Sequence, residues 1–399
     1  MARHMTSARP TRPARPTPAV FAGAALLFGL AGALPAQERR EITVEWIFSD
    51  AGEEPTLLPR FEWTTSGELL LLDARRPKEE RTFERLGPTG TRSRAVDARA
   101  ALGGLKDLLG EPDAPDVLSW PPSLDRAGRR AVYVLAGDLF LLDLPASRFE
   151  RLTRTPEAES VPRLSPDGRR LAFVRGNDLF VLDLLSRAES RLTSDGSDSV
   201  LNGALSWVYW EEVFDHRDAG YWWSEDGRAI AFLRTDESAV SLVGVPDFRP
   251  AVPRVIPQRY PKAGGPNPTV RLGIADVESG RTVWMDPEEA PYEYVVAVEW
   301  SPDSRRVAVQ GVNRLQTRLD LYFVDRGSGK ATRVLTETDA AWVNTQDLEF
   351  VEGGKGFLWT SDRDGYTHVY RYASDGTLLN QVTKGPWSVR GPRGFNSAP

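Results

Sequence analysis

Glu211 and Glu212 stand side by side in a run that also holds Trp207, Tyr209, Trp210 and Phe214. Two carboxylates can supply charge-assisted hydrogen bonds, roughly twice as strong as neutral ones, to a cationic donor. Out of context such a pair more often marks a solvated helix face. The inventory of nucleophiles and bases is short. Cysteine is absent, which excludes disulfides, thiolate metal sites and Cys nucleophiles. The histidines are His4, His216 and His368. A three-histidine metal site would need all of them, and His4 falls in a segment expected to be removed, so no metal or other cofactor is expected. His216 and His368 have no nucleophile partner visible in the sequence and read as structural. No Gly-x-Ser-x-Gly pentapeptide, the nucleophile elbow of α/β-hydrolases, occurs in the 399 residues. No catalytic residue is therefore assigned.

The elements that must carry the Glu pair are strands in a repeat. Residues 128–153 and 168–193 align at an offset of 40 residues with 13 of 26 positions identical. Each unit holds alternating apolar runs, such as Leu171-Ala172-Phe173-Val174 and Asp178-Leu179-Phe180-Val181-Leu182-Asp183, separated by a two-residue turn at Gly176-Asn177. Period-2 runs bounded by Gly, Asn and Asp are strands and hairpins. Related openings recur at Trp63–Gly67, Ser165–Gly168, Trp223–Gly227, Trp300–Ser304 and Glu352–Gly356. Their Pro, Asp and Gly suit a tight turn, and an aromatic ahead of the turn is expected to pack between adjacent sheets. Repeats of about 40 residues with this content are propeller blades. The fold class is all-β, a β-propeller with about six recognisable blades. The spacing stretches between Gly168 and Gly227, where the Glu pair lies, and again across the Pro-rich run from Val245 to Pro268. Insertions of this kind sit on loops, where binding residues concentrate.

The flanking segments read differently. Residues 1–18 carry four Arg and no acid, and Ala19 to Leu34 is apolar without a break. Sixteen apolar residues fall short of the roughly 20 that span a bilayer, and small residues follow. This is the pattern of a secretory signal peptide. Residues 1–36 are expected to be cleaved and the protein to be exported, to a periplasm or the extracellular space. Residues 37–390 form the propeller and 391–399 an irregular tail. Hydrophobic residues make up 41% and charged residues 27%, which excludes a wholly disordered chain. The net charge is −6, and no basic excess is available for a phosphate backbone, so nucleic acid is not an expected partner.

At Trp207-Val208-Tyr209 followed by Glu211-Glu212 the sequence resembles the N-terminal propeller of the dipeptidyl peptidase IV family, in the prolyl oligopeptidase class of serine peptidases. The same order continues through Asp236–Val240, Tyr260–Gly264 with Asn267-Pro268, Asp364–His368 and Thr383–Trp387. Ser206 stands where the family usually has Asp, and Trp210 where it usually has a third acid or an amide. No Arg of this sequence is matched to the propeller Arg that fixes the substrate carbonyl in some relatives.

The resemblance implies an eight-bladed propeller capping an α/β-hydrolase domain, of which these residues supply about six blades. It implies a role in removing N-terminal dipeptides, with Glu211 and Glu212 holding the α-amine of a peptide substrate and Trp207 and Tyr209 supporting them. An α-amine is largely protonated at neutral pH, and its three donors must all be satisfied, which suits two carboxylates. The 399 residues alone, lacking the hydrolase domain that would be their partner, are expected to show no peptidase activity. A homodimer is left open. The alternative is a non-catalytic propeller that binds peptides or partner proteins.

Overall fold

In a computed structural model of the chain, residues 42–53, 57–110, 113–287 and 292–390 are described. The expected signal peptide and the tail 391–399 lie outside them. Two compact units divide the chain, Met1–Thr56 and Leu57–Pro399. In the first, the described residues form two helical turns, Val44–Ile47 and Asp50–Glu53, and the Thr43 hydroxyl caps the earlier one by accepting from the Trp46 amide at 3.1 Å.

Among the described residues the second unit holds six blade sheets in chain order, antiparallel except where Asp286–Pro287 joins the fifth parallel to Lys330–Thr338. Blade 1 runs from Arg60–Trp63 to Arg92–Arg94, blade 2 from Ser123–Leu124 to Arg148–Arg151, and blade 3 from Glu159–Leu164 to Glu189–Arg191. Blade 4 spans Val200–Asn202 to Thr282–Trp284, blade 5 has its four long strands between Tyr294–Trp300 and Lys330–Thr338, and blade 6 runs from Leu348–Val351 to Leu378–Gln381. A separate hairpin, Leu242–Asp247 with Arg254–Arg259, projects from blade 4 across the Pro-rich run. It carries Phe248, Val252 and Val255 exposed.

The period-2 pattern explains the stacking. In strand Arg170–Arg175 of blade 3, Leu171 and Phe173 join the buried cluster shared with blade 2, while Ala172 and Val174 join the one shared with blade 4. Both faces are therefore covered, and each fully buried Leu or Phe contributes about 1.5–3 kcal/mol by leaving water. Five such seams join the six blades, 1–2, 2–3, 3–4, 4–5 and 5–6. No buried cluster joins blade 1 to blade 6 among the described residues. The first strands of neighbouring blades lie side by side: Ser123–Leu124 touches Glu159–Leu164, and Tyr221–Trp223 touches Tyr294–Trp300. These strands line the inside of the array.

Turn chemistry follows the sequence closely. Gly176 and Asn177 take φ of 54° and 61°, the left-handed pair that a two-residue hairpin of this twist requires. In the Ser165–Gly168 turn, the Ser165 hydroxyl donates to Asp167 at 2.7 Å and the Gly168 amide donates to the Ser165 carbonyl at 2.8 Å. Aromatic residues ahead of the turns behave in two ways. Trp300 is buried and its indole donates to the Trp222 carbonyl at 3.0 Å, and Trp223 donates likewise to the Arg163 carbonyl. Trp63 departs from the expectation: it is 64% exposed, because strand Arg60–Trp63 is open along its whole length and no described sheet covers it. A helix that the strand repeat did not foretell, Ala98–Leu109, is capped by Asp97 and buries Ala101 and Leu105, one turn apart, in the first seam.

Candidate functional site

Blade 4 departs from its neighbours at the innermost strand. That strand is split in two. Val200–Asn202 pairs with the far half of strand Ala229–Asp236, and Tyr221–Trp223 pairs with its near half. Residues 203–220 leave the sheet between the halves and return. The neck is pinned by Gly203 donating to the Leu233 carbonyl at 3.0 Å, Gly220 donating to the Gly203 carbonyl at 2.8 Å, and an Ala204–Ala219 bridge. Gly203 sits at φ 76°, which favours glycine, and a Cβ on Gly220 would meet the tip of Leu205 at 2.8 Å and push it aside.

Beyond the neck the chain makes a short helical turn with an extra residue in it. Trp210 donates to the Ser206 carbonyl at 2.9 Å in the α pattern, and Phe214 then donates to the Tyr209 carbonyl five residues back, also at 2.9 Å. Such π-turns are uncommon and often sit at functional sites. The turn is fastened at one residue: Tyr209 is 1% exposed, and its hydroxyl accepts from the buried Val295 amide of blade 5 at 3.2 Å. Burial pushes the Tyr209 phenol well above its ordinary range, so it stays neutral. Trp207 leans on Tyr260 with ring centroids 4.7 Å apart. Trp207 and Tyr209 thus both flank the Glu pair, one as wall and one as anchor.

Adjacent residues of a helical turn point in different directions, about 100° apart. Glu212 is exposed and lines a cavity of about 550 Å³. Its walls come from Trp207, from Tyr260 and Pro261, from Tyr294 and Gln316 of blade 5, and from Trp342 and Asn344 on the way to blade 6. Glu211 does not line it and instead sits 3.2 Å from Nδ1 of His216. The structure therefore brings Glu212, Trp207 and the aromatic walls together and sets Glu211 to one side of them. Two polar neighbours hold the far wall: Asn267 donates to Glu293 at 2.8 Å and to the Tyr294 hydroxyl at 2.7 Å, and Arg314 donates to Glu293 at 2.8 Å. No arginine lines the cavity among the described residues. Tyr294, Trp342 and Asn344 escaped the sequence reading.

The insertion also concentrates unmet demands. Asp215 and His216 lie at φ 47° and 62°, a conformation costing roughly 1–2 kcal/mol for residues other than Gly. Buried oxygens of Asn202, Ser206 and Thr235, all in blade 4, have no hydrogen-bond partner. His368 lies elsewhere, buried in blade 6, where Nδ1 meets the Thr383 hydroxyl at 3.2 Å and Nε2 the Gly385 carbonyl at 3.0 Å, with Trp387 against its ring. That network accounts for the Thr383–Trp387 motif as a clasp on the last blade.

A family model described as the dipeptidyl peptidase IV (DPP IV) N-terminal region matches residues 129–398. Among curated proteins, dipeptidyl peptidase 4 of Trichophyton rubrum is 32% identical over 214 residues, covering 50% of this chain and 27% of that protein. The probable dipeptidyl-aminopeptidase B of Emericella nidulans is 35% identical over 226 residues, covering 50% and 25%. The crystal structure of Porphyromonas gingivalis dipeptidyl peptidase 4 superposes with a TM-score of 0.71 at 24% identity, over 88% of this chain and 50% of that one, a likeness of fold. The chain spans about a quarter of the length of these curated relatives.

Proposed function

Because the chain belongs to the dipeptidyl peptidase IV N-terminal region family, we propose that it is the propeller part of an exported dipeptidyl peptidase IV-like serine peptidase that removes N-terminal dipeptides. In this reading the carboxylates of Glu211 and Glu212 hold the α-ammonium of a peptide. The observation that carries it is the placing of Glu212 in an aromatic-walled cavity by an insertion from the innermost strand of blade 4. A charge-assisted bond from the ammonium to Glu212 fixes one end of the peptide. The flat faces of Trp207, Tyr260 and Trp342 cover its first side chains. Fixing the amine fixes the reach of the chain beyond it, so the site acts as a ruler that selects the second peptide bond. The bond-breaking residues are then supplied from outside these 399 residues, which hold no Gly-x-Ser-x-Gly. Export rests on the basic and apolar segments of residues 1–36.

The test uses the two tryptophans of the cavity as reporters. Fluorescence titration with the dipeptide Ala-Pro and with acetyl-Ala-Pro separates a charged amine from a blocked one. Wild type is expected to prefer Ala-Pro. Glu212→Gln is expected to lose roughly tenfold to a hundredfold of that affinity, the worth of a hydrogen bond to a charged group at about 1.5–3 kcal/mol. Its melting temperature should stay put, since Gln is nearly isosteric. Equal binding of the two peptides by wild type, or an unchanged Glu212→Gln affinity, would make these surface carboxylates.

A further inference from the structure

His216 is set into the insertion in a way that a turn alone does not call for. The turn closes through Asp215 and His216, both left-handed. Glycine would serve both positions if only the reversal mattered. Instead His216 is held three times over. Its amide donates to the Trp210 carbonyl at 2.9 Å, its ring stands edge-on to the Trp210 indole with centroids 4.8 Å apart, and its Nδ1 lies 3.2 Å from Oε2 of Glu211. The two charged residues that follow it are committed elsewhere. Arg217 donates to the carbonyls of Ala219 and Tyr221 and lies over the Trp222 ring, and Asp218 pairs with Arg163 of blade 3 at 2.5 Å. Glu211 is the carboxylate that His216 meets among the described ion pairs.

We propose that His216 is a positioning residue for amine capture: its Nδ1–H donates to Glu211 and fixes that carboxylate as the second, preset acceptor beside Glu212. The proposal rests on the reading of the Glu pair given above. A neutral imidazole carries one N–H, and donation from Nδ1 leaves Nε2 as an acceptor facing solvent, where the side chain is 59% exposed. A free glutamate on a short turn would sample several rotamers, and ordering it would be charged to peptide binding. A glutamate already held by His216, itself braced on Trp210, has met that cost in folding. One oxygen of Glu211 is engaged, and the other stays open for an ammonium hydrogen. The two acidic residues therefore differ in kind: Glu212 lines the cavity, and Glu211 is held to one side of it by His216.

Asparagine separates the role from mere bulk. Its Nδ2 sits where the Nδ1 of histidine does, and it tolerates the left-handed backbone well. With the whole 399-residue chain, His216→Ala is expected to bind Ala-Pro about fivefold more weakly than wild type, a loss moderated by solvent exposure. His216→Asn should recover most of that affinity, and neither change should alter binding of acetyl-Ala-Pro. A second readout needs no peptide. In ¹⁵N-histidine-labelled protein at pH 8 the His216 ring should be in the Nδ1–H tautomer, and Glu211→Ala should abolish that preference. The proposal is overturned if His216→Ala binds Ala-Pro as wild type does, if Asn and Ala behave alike, or if the tautomer ignores Glu211→Ala. Equal binding of Ala-Pro and acetyl-Ala-Pro by wild type overturns the amine reading and this role with it. The tautomer tells that failure apart from a failure of the His216–Glu211 contact.

Discussion

Blades 3 and 4 stand next to each other and meet their polar requirements in opposite ways. In blade 3 the innermost strand is continuous, with a bulge at Val161, and no buried side-chain donor or acceptor among its described residues goes unpaired. Asp178, 1% exposed, accepts from Arg191 at 2.5 Å, the Thr193 hydroxyl at 2.6 Å, the Gly196 amide at 3.0 Å and Asn202 at 3.1 Å. Blade 2 repeats the arrangement 40 residues earlier with Asp138 and Arg151. Blade 4 breaks its innermost strand and leaves buried oxygens of Asn202, Ser206 and Thr235 unmet. Local strain of this kind persists only where its surroundings enforce it, and it gathers at sites with work to do. Blade 3 keeps its innermost strand in one piece, and blade 4 opens its own where it carries Glu212 to the cavity.

The sharpest test of that contrast is Asp178→Ala. It leaves Arg191, Thr193 and Asn202 short of their shared acceptor, and thermal or urea unfolding should show a loss of about 3 kcal/mol. Binding of Ala-Pro should fall only through unfolding. An unchanged melting curve would mean that blade 3 is no more closed than blade 4.

Tyr209→Phe probes the anchor of the irregular blade. Removing the hydroxyl strands the buried Val295 amide and should cost about 1–3 kcal/mol. Here Ala-Pro affinity should drop together with stability, because the turn carrying Glu212 is fastened at that point. A loss of stability with full affinity would show that the turn keeps its shape without the anchor.

Blade 5 offers an intermediate case. Glu299 lies on its innermost strand, and burial first, then the carboxylates of Glu349 and Asp347, push its carboxyl up to about 7 from an ordinary 4.5. The folded protein therefore binds this proton more tightly than the unfolded chain does, and stability is lost as pH rises from about 4.5 through 7. Glu299→Gln should match wild type at pH 4.5 and exceed it at pH 8, by about 1 kcal/mol once solvent screening of its exposed tip is allowed for. Equal melting temperatures at pH 8 would remove Glu299 from the strained class.

The smallest effect is expected from Asp215→Gly. Relief of the left-handed backbone outweighs the added entropy of the unfolded chain by ~0.5 kcal/mol. The comparison is Asn177→Gly in blade 3, where the hairpin already favours Asn and the change should instead cost about 1 kcal/mol through the lost bond from Nδ2 to the Ser197 carbonyl. Differential calorimetry of the pair would show whether the strain lies in the insertion.

The sequence made the stacking part legible because it repeats. An alternation that buries Leu171 and Phe173 on one side and Ala172 and Val174 on the other can be read directly, and so can the Gly176-Asn177 turn. The six sheets follow from it. The insertion was legible as to place, through stretched spacing and the Glu pair, yet not as to direction. Which carboxylate faces the cavity depends on one extra residue in the turn, and no periodicity encodes that. His216 looked inert because its partner, five residues back, meets it only through the left-handed reversal. The outer cavity wall at Tyr294, Trp342 and Asn344 comes from other blades, and tertiary proximity of that kind leaves no local mark. The helix Ala98–Leu109 was passed over because its apolar spacing sits between strand repeats.

Five seams for six blades have a consequence for the order in which the protein comes apart. A stack in which each layer meets only its neighbours behaves as a one-dimensional array, and its stability is nearly a sum of layer and interface terms. Within residues 57–390, blades 1 and 6 each have one interface and the other four have two. Within that array of described residues, loosening begins at blades 1 and 6 and travels inward. Blades 3 and 4 are the last to open, and the Glu pair sits on blade 4 with its anchor in blade 5. Opening of the outer blades thus leaves the Tyr209–Val295 fastening in place, and the turn that carries Glu212 is freed only when the seam between blades 4 and 5 gives way.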